Sequence, residues 1–135
     1  MRVLIVDDHA VVRHGLKSAI QTHGYEVVAV AGSINEAKAF MAQTNPDAII
    51  VDINLPDGSG LEIAQWVRSL SRSVAIVILT LNEKDEFVIA AMKAGASAFV
   101  NKSAPLADFL AAVDHALSSP GTFSALDLAG ALNRK

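Results

Sequence analysis

Short apolar runs rich in valine, isoleucine and alanine recur along the chain, at Val3 to Val6, Val27 to Ala31, Ala48 to Val51, Val74 to Leu79 and Ala98 to Val100. Each has the length of one strand. Three of the five lack polar alternation, the pattern of a strand covered by helices on both faces of a parallel sheet. Between them the spacing turns helical: Val12, Leu16, Ala19 and Ile20 fall on one stripe, and Ile63, Val67 and Leu70 on another. Ser33 with Glu36 reads as a capping box for the second helix. Pro105 suits the first turn of the fifth, and Gly24 and Gly95 end the first and fourth.

The alternation predicts an α/β fold, a single doubly wound (βα)5 domain around a parallel sheet. Right-handed crossovers leave two common strand orders, of which the flavodoxin-like order 2-1-3-4-5 is one, and periodicity does not choose between them. The composition shifts at Ser118-Ser119-Pro120-Gly121, which reads as the start of a linker. Beyond it, Ser124 to Leu132 reads as one short helix with Leu128 and Leu132 on a common face.

A chain of 135 residues suits one domain, and 52% hydrophobic with 19% charged residues supplies a core. The net charge of -3 argues against wrapping nucleic acid by charge alone. The absence of cysteine excludes disulfides and thiolate metal sites and fits a reducing cytoplasm. No apolar run reaches the ~18 residues of a membrane span, and Asp7 and Asp8 interrupt the opening run before it could serve as a signal-peptide core. The chain is therefore expected to be cytoplasmic.

In an open α/β sheet, ligands bind beyond the carboxyl ends of the strands. The residues found there are Asp7 and Asp8 after the first strand, Asp52 after the third, Thr80 after the fourth, and Asn101 and Lys102 after the fifth. Carboxylates ~5 Å apart repel by about 3 kcal/mol per pair at an effective dielectric near 20, so three of them need a cation or a proton. Lys102 offsets one charge, and the remainder invites a hard divalent ion such as Mg2+. Flanked by a metal and a lysine, Asp52 becomes a plausible nucleophile toward phosphorus, with Thr80 as a donor to a phosphoryl oxygen. The turn-forming run from Leu55 to Gly60 would carry the chain over the site into the third helix. His9 beside two aspartates suggests a metal ligand but reads more simply as a solvated residue that starts the first helix; His14, His23 and His115 read as solvated, Trp66 as a partly buried packing residue, and Phe87 equally as output surface or packing.

Val6-Asp7-Asp8-His9 with Arg13 and Gly15-Leu16, Asp52 with Leu55-Pro56 and Gly58 to Gly60, Thr80, and Ala94-Gly95-Ala96 leading to Phe99 and Lys102 together resemble a response-regulator receiver domain of two-component phosphorelays. The opening motif looks most like the NarL/FixJ (LuxR-type) branch of transcriptional regulators. The resemblance covers residues 1 to about 118 and implies the 2-1-3-4-5 order. It implies that Asp52 accepts a phosphoryl group from a phosphohistidine of a sensor histidine kinase. Asp8, Asp52 and the backbone carbonyl of Asn54 would ligate Mg2+, with Asp7 acting mostly through water. Lys102 and Thr80 would hold the phosphoryl group, and Thr80 and Phe99 would switch together, altering the surface of the fourth helix, fifth strand and fifth helix.

Five positions stand out against the pattern. Phe99 replaces the frequent tyrosine and lacks its hydroxyl. Leu81 is bulkier than usual and could narrow access to Asp52. Asn54 and Asn82 occupy positions that in the family set how fast the phosphoryl group is lost. Ser103 stands where many relatives have proline after a cis peptide. The family's DNA-binding helix-turn-helix lies C-terminal, and Ser119 to Lys135 is too short to form one, so this chain reads as the receiver part of a longer transcription factor, with homodimerisation possible on phosphorylation. The alternatives are an aspartate-nucleophile phosphatase or phosphotransferase, which would commonly carry Asp-x-Asp after the first strand where His9 stands here, and a flavodoxin-like or dinucleotide-binding module, which would need a glycine-rich loop there.

Overall fold

A computed structural model describes residues 1–81, 84–125 and 128–134. Strands β1 (Arg2–Val6), β2 (Glu26–Ala31) and β3 (Ala48–Asp52) alternate with helices α1 (Ala10–Thr22) and α2 (Ile34–Thr44). A two-residue hairpin, β4 (Asn54–Leu55) and β5 (Gly58–Ser59), leads into α3 (Gly60–Leu70). Then come β6 (Ala75–Thr80), α4 (Asp85–Lys93), β7 (Ala98–Asn101), α5 (Leu106–Ser118), β8 (Ser124–Ala125) and α6 (Leu128–Arg134). The main sheet is parallel in the order β2-β1-β3-β6-β7-β8. Its first five strands are the expected 2-1-3-4-5 core, and β8 adds a sixth.

Both faces of the central strands are apolar, so successive side chains enter two different cores. Leu4, Val6, Ile49, Val51, Ile76 and Ile78 pack on one side with Ile63, Val67 and Val88. Val3, Ile5, Ile50, Val77 and Leu79 pack on the other with Ile20, Phe109 and Val113. All fall below one-tenth exposure, which is why the strands show so little alternation.

Several local expectations are refined. Ser33 Oγ caps α2 by accepting from Glu36 N, but Glu36 Oε1 returns to Gly32 N at 3.1 Å rather than to the cap's own amide. Gly24 and Gly95 follow the last turns of α1 and α4 with φ of 101° and 90°, a region that favours glycine. Pro105 sits immediately before α5 rather than within its first turn. Leu70 is 68% exposed and leaves the stripe of Ile63 and Val67, because α3 ends there as the chain turns out to solvent. Trp66 is half-buried, with the Lys38 ammonium 5.5 Å from its ring centre.

The expectation of one helix from Ser124 to Leu132 is wrong. Ser124 and Ala125 pair with β7 as a strand, where its outer edge would otherwise leave amide and carbonyl groups unmatched, and among the described residues α6 spans Leu128–Arg134. Leu128 packs on the core while Leu132 is 45% exposed, so the two do not share a buried face.

At the other end of the sheet's helical layer, α1 and α5 are joined through Asp114, which accepts from the Tyr25 hydroxyl and lies 2.9 Å from His23 Nε2. His23 is therefore paired rather than merely solvated. The hydrogen bond to Asp114, then burial and that carboxylate's charge, push the Tyr25 hydroxyl up to about 12 from its ordinary 10.0. A folded-state value above the unfolded one means that this contribution to stability is complete below pH 10 and disappears as pH rises through about 12. Tyr25 is the one tyrosine in the chain, so phenolate absorbance reports it alone. The titration midpoint is expected near 12 and should fall toward 10 in Asp114→Asn. An unchanged midpoint in that variant would show that Asp114 does not hold the phenol.

Candidate functional site

Register assembles the site. Val6 pairs with Val51, so the next residues, Asp7 and Asp52, emerge side by side. Asp52 pairs with Leu79, placing Thr80 one step further, and Thr80 pairs with Asn101, which brings Lys102 to the same rim. Backbone bonds hold the strand ends together: Asp7 N donates to Ala31 O, Ile53 N to Leu79 O and Lys102 N to Thr80 O, all at 2.9 to 3.0 Å. Four of the five expected side chains are thus fixed by strand pairing alone, and Asp8 follows as the first exposed residue after Asp7.

The electrostatic centre is the Lys102 ammonium. Nζ donates to Asp52 Oδ2 at 2.8 Å and forms an ion pair with Asp7 Oδ2, also at 2.8 Å. Side-chain exposure is 9% for Lys102, 3% for Asp52 and zero for Asp7, and Thr80 is buried as well. Burial by itself pushes the Lys102 ammonium down, but the contacts and charges of Asp52 and Asp7 outweigh it and hold the group above its ordinary value. Lys102 therefore stays charged.

The loop after Asp52 is shaped by close approach. Asn54 N donates to Asp52 Oδ1 at 3.1 Å, and Gly60 N donates to Ile53 O at 2.7 Å. A Cβ on Gly60 would lie 2.1 Å from the Asp52 carbonyl oxygen, so only glycine lets α3 start against the strand end. Asp57, at the hairpin's tip, reaches across to accept from Ile34 N at 2.8 Å and Asn35 N at 3.1 Å, capping α2. Those backbone donors, Ile34 first, hold its carboxyl below the usual range.

His9 is the residue the sequence undervalued. It does begin α1 as the N-cap and its side chain is 61% exposed, yet Nδ1 lies 3.1 Å from both Asp7 Oδ1 and Asp8 Oδ1 and 3.9 Å from Asp52 Oδ2. A ligand atom from each of Asp7, Asp8, His9 and Asp52 falls within 4.8 Å of the others. The Asp7-Asp8-His9 run is itself the local signal for a metal ligand, outweighed in the sequence reading because the residue after a strand-end acid is ordinarily solvated. His14 and His115 are exposed.

The donor set fits a hard divalent cation. Three carboxylates against one ammonium leave two negative charges, and the fully buried Asp7 Oδ2 has no hydrogen bond of good geometry beside its ion pair. Asn54 lies exposed beside the cluster. Phe99 is buried on β7, two residues before the site's rim, and Leu81 is 73% exposed just past Thr80. Asn82 lies outside the described residues. No peptide bond among the described residues is cis, so Ser103 follows Lys102 through a trans bond.

A parallel five-strand core with a buried lysine between acids at its carboxyl end defines the class of receiver-type α/β switches. The chain belongs to the response regulator receiver domain family, whose profile matches residues 3–114. It is 39% identical over 103 residues to the DNA-binding transcriptional activator DevR/DosR of Mycobacterium tuberculosis, covering 76% of this chain and 48% of that protein. It is 39% identical over 102 residues to the transcriptional regulatory protein PhoP of Escherichia coli, covering 76% and 45%. It therefore spans about half the length of these curated relatives. Among solved structures, a LuxR-family two-component response regulator from Aurantimonas sp. superposes with a TM-score of 0.88 at 32% identity, covering 98% of this chain and 95% of that one. That likeness extends past residue 114 into the C-terminal segment. No helix among the described residues is long and apolar enough to cross a membrane.

Proposed function

We propose that this chain is a phosphorylation-dependent switch in which Asp52 accepts a phosphoryl group from a phosphohistidine of a sensor histidine kinase. The observation that carries the proposal is the bifurcated contact of Lys102 with Asp52 and Asp7 at 2.8 Å, beside the partly exposed Asp8 carboxylate. A carboxylate oxygen of Asp52 attacks phosphorus, an acyl phosphate bond forms, and the phosphorus–nitrogen bond to the donor histidine breaks. Lys102 lies against the attacking carboxylate and remains to neutralise the added phosphoryl charge. Asp8, Asp52 and the Asn54 carbonyl would hold Mg2+, with Asp7 acting through water. Bound there, the ion would screen the charge between carboxylate and phosphate.

Thr80 would hydrogen-bond the new phosphoryl oxygens and draw Phe99 with it, changing the α4–β7–α5 surface. Phe99 transmits by packing alone, having no hydroxyl. Asn54, Leu81 and Asn82 would set access to the acyl phosphate and its lifetime. The similarity to DevR/DosR and PhoP supports the receiver part of a DNA-binding transcriptional regulator in the cytoplasm, with residues 1–118 as the phosphoacceptor unit, DNA contacts supplied by a separate C-terminal domain and dimerisation on phosphorylation.

Incubation with Mg2+ and a small acyl phosphate or a phosphorylated histidine kinase should add one phosphoryl group per chain by intact mass. Chelating the metal or replacing Asp52 by asparagine should reduce labelling at least 100-fold. Labelling that survives Asp52→Asn would place the acceptor elsewhere.

A further inference from the structure

The loop that carries the Asn54 carbonyl is fastened at its far end to a different helix. Residues 54–59 form the β4–β5 hairpin, with Asn54 opposite Ser59 and Leu55 opposite Gly58, and Asp57 sits at its tip. Both Asp57 carboxylate oxygens cross to the start of α2: Oδ1 accepts from Ile34 N at 2.8 Å and Oδ2 from Asn35 N at 3.1 Å. An ionised carboxylate suits a helix N-terminus, where the first amides lack partners within the helix. Apolar contacts seat the same tip. Leu55 and Ile34 are buried in one core cluster, and a Cβ on Gly58, whose φ is 146°, would lie 2.9 Å from Ile34 Cδ1 and 3.0 Å from Glu62 Oε1. At its near end the hairpin meets the acceptor: Asn54 N donates to Asp52 Oδ1 at 3.1 Å, while Lys102 Nζ donates to Asp52 Oδ2. Among the described residues, the hairpin's other side-chain hydrogen bond is Ser59 Oγ accepting from Leu61 N, at the loop's own exit. Asp57 is therefore the hairpin's polar tie to α2.

We propose that Asp57 is a positioning residue for the phosphoacceptor site: by docking the hairpin on α2 it holds the Asn54 carbonyl ready for Mg2+ and the Asn54 amide on Asp52. The proposal rests on the phosphoacceptor reading and its Mg2+ site, and names a residue that acts there without touching metal or phosphate. A short two-stranded hairpin is marginally stable by itself, so its conformation is set by what it docks on. Mg2+ demands near-ideal octahedral geometry, and a backbone carbonyl serves it only from a fixed position. An undocked hairpin would have to be ordered as the ion binds, and that lost freedom would be subtracted from the affinity. The coupling runs in both directions. Whatever the docked hairpin adds to Mg2+ binding, Mg2+ adds to the docking, and so to the protection of the Ile34 and Asn35 amides. The same end of α2 carries a second cap, Ser33 Oγ accepting from Glu36 N at 3.2 Å, which does not involve the hairpin. Helix capping and hairpin docking are thus separable by substitution.

Mg2+ titrations of the whole chain followed by backbone amide chemical shifts test this, with thermal midpoints measured on the same samples. Asp57→Ala should weaken Mg2+ binding about 10-fold, as loss of an outer partner of a metal site does. Ser33→Ala, which removes the other cap of α2, should lower the thermal midpoint comparably and leave Mg2+ affinity unchanged, whereas a merely structural role for Asp57 would make the two variants alike. Asp57→Asn, whose amide oxygen can still accept from one donor, should fall between the wild type and Asp57→Ala. In the wild-type chain, saturating Mg2+ should slow exchange of the Ile34 and Asn35 amides by about the same 10-fold, while the Glu36 amide, held by Ser33, keeps its rate. That measurement needs no variant and decides alone if Asp57→Ala does not fold. Mg2+ binding that Asp57→Ala weakens no more than Ser33→Ala does, or unchanged exchange at Ile34 and Asn35 with the ion bound, overturns the positioning role and leaves the phosphoacceptor reading standing. A wild-type chain that binds no Mg2+ overturns the metal site of that reading, and the positioning role with it.

Discussion

Lys102→Met is expected to destabilise the domain by about 3 kcal/mol at neutral pH, measured by denaturant unfolding without metal. Methionine keeps the length of the side chain and removes the charge that lies 2.8 Å from both Asp52 Oδ2 and Asp7 Oδ2. Two carboxylates, each at most 3% exposed, are then left facing each other without the ammonium that neutralises them. Mg2+ should recover part of the deficit. The effect should be coupled: adding Asp52→Asn removes one of the stranded charges, so the double variant should be more stable than Lys102→Met alone by roughly 1–3 kcal/mol. Independent, additive losses would mean that Lys102 does not neutralise this pair.

Gly60→Ala should cost at least about 3 kcal/mol and leave the chain partly unfolded or insoluble. The added Cβ would meet the Asp52 carbonyl oxygen at 2.1 Å, Val51 Cγ1 at 2.8 Å and the Asp52 carbonyl carbon at 2.9 Å. None of these is the tip of a flexible side chain, so α3 must move away from the strand that carries the acceptor. Gly15 is the control. It lies inside exposed α1 with nothing within 4 Å of an added Cβ, and Gly15→Ala should stabilise by about 0.5–1 kcal/mol through helix propensity. Equal thermal midpoints for the two variants would contradict the close approach at Gly60.

The contrast between these glycines marks where sequence reasoning reaches and where it stops. The strands were legible because burial on both faces leaves a dense apolar run that survives without context. The site was legible because parallel strands in register present their terminal residues side by side, so Asp7, Asp52, Thr80 and Lys102 could be gathered from strand ends alone. What escaped was decided by partners far along the chain. Ser124 and Ala125 have no strand signal of their own and become a strand because the β7 edge is open. Asp57 looks like a turn residue and caps a helix twenty-odd positions earlier. Ser97 and Arg68 look like surface polar residues and together hold the Pro120 carbonyl. His9 lies next to its partners in sequence, yet its approach to Asp52 depends on the β1–β3 register.

The fold thereby separates two tasks. The central strands, fully buried, fix the acid–lysine geometry rigidly. The edge where β8 joins β7 is paired over two residues, against the five that join β3 to β6, and we propose that a charge added at Asp52 is read out there.

The most direct measurement is the position of the phosphoryl group. After reaction with a phosphorylated histidine kinase and Mg2+, reduction of the acyl phosphate with borohydride and peptide mass mapping should convert Asp52, and no other carboxylate, to homoserine at up to one per chain. Modification at Asp7 or Asp8, or many turnovers of a phosphomonoester with no modified residue, would contradict an Asp52-centred switch.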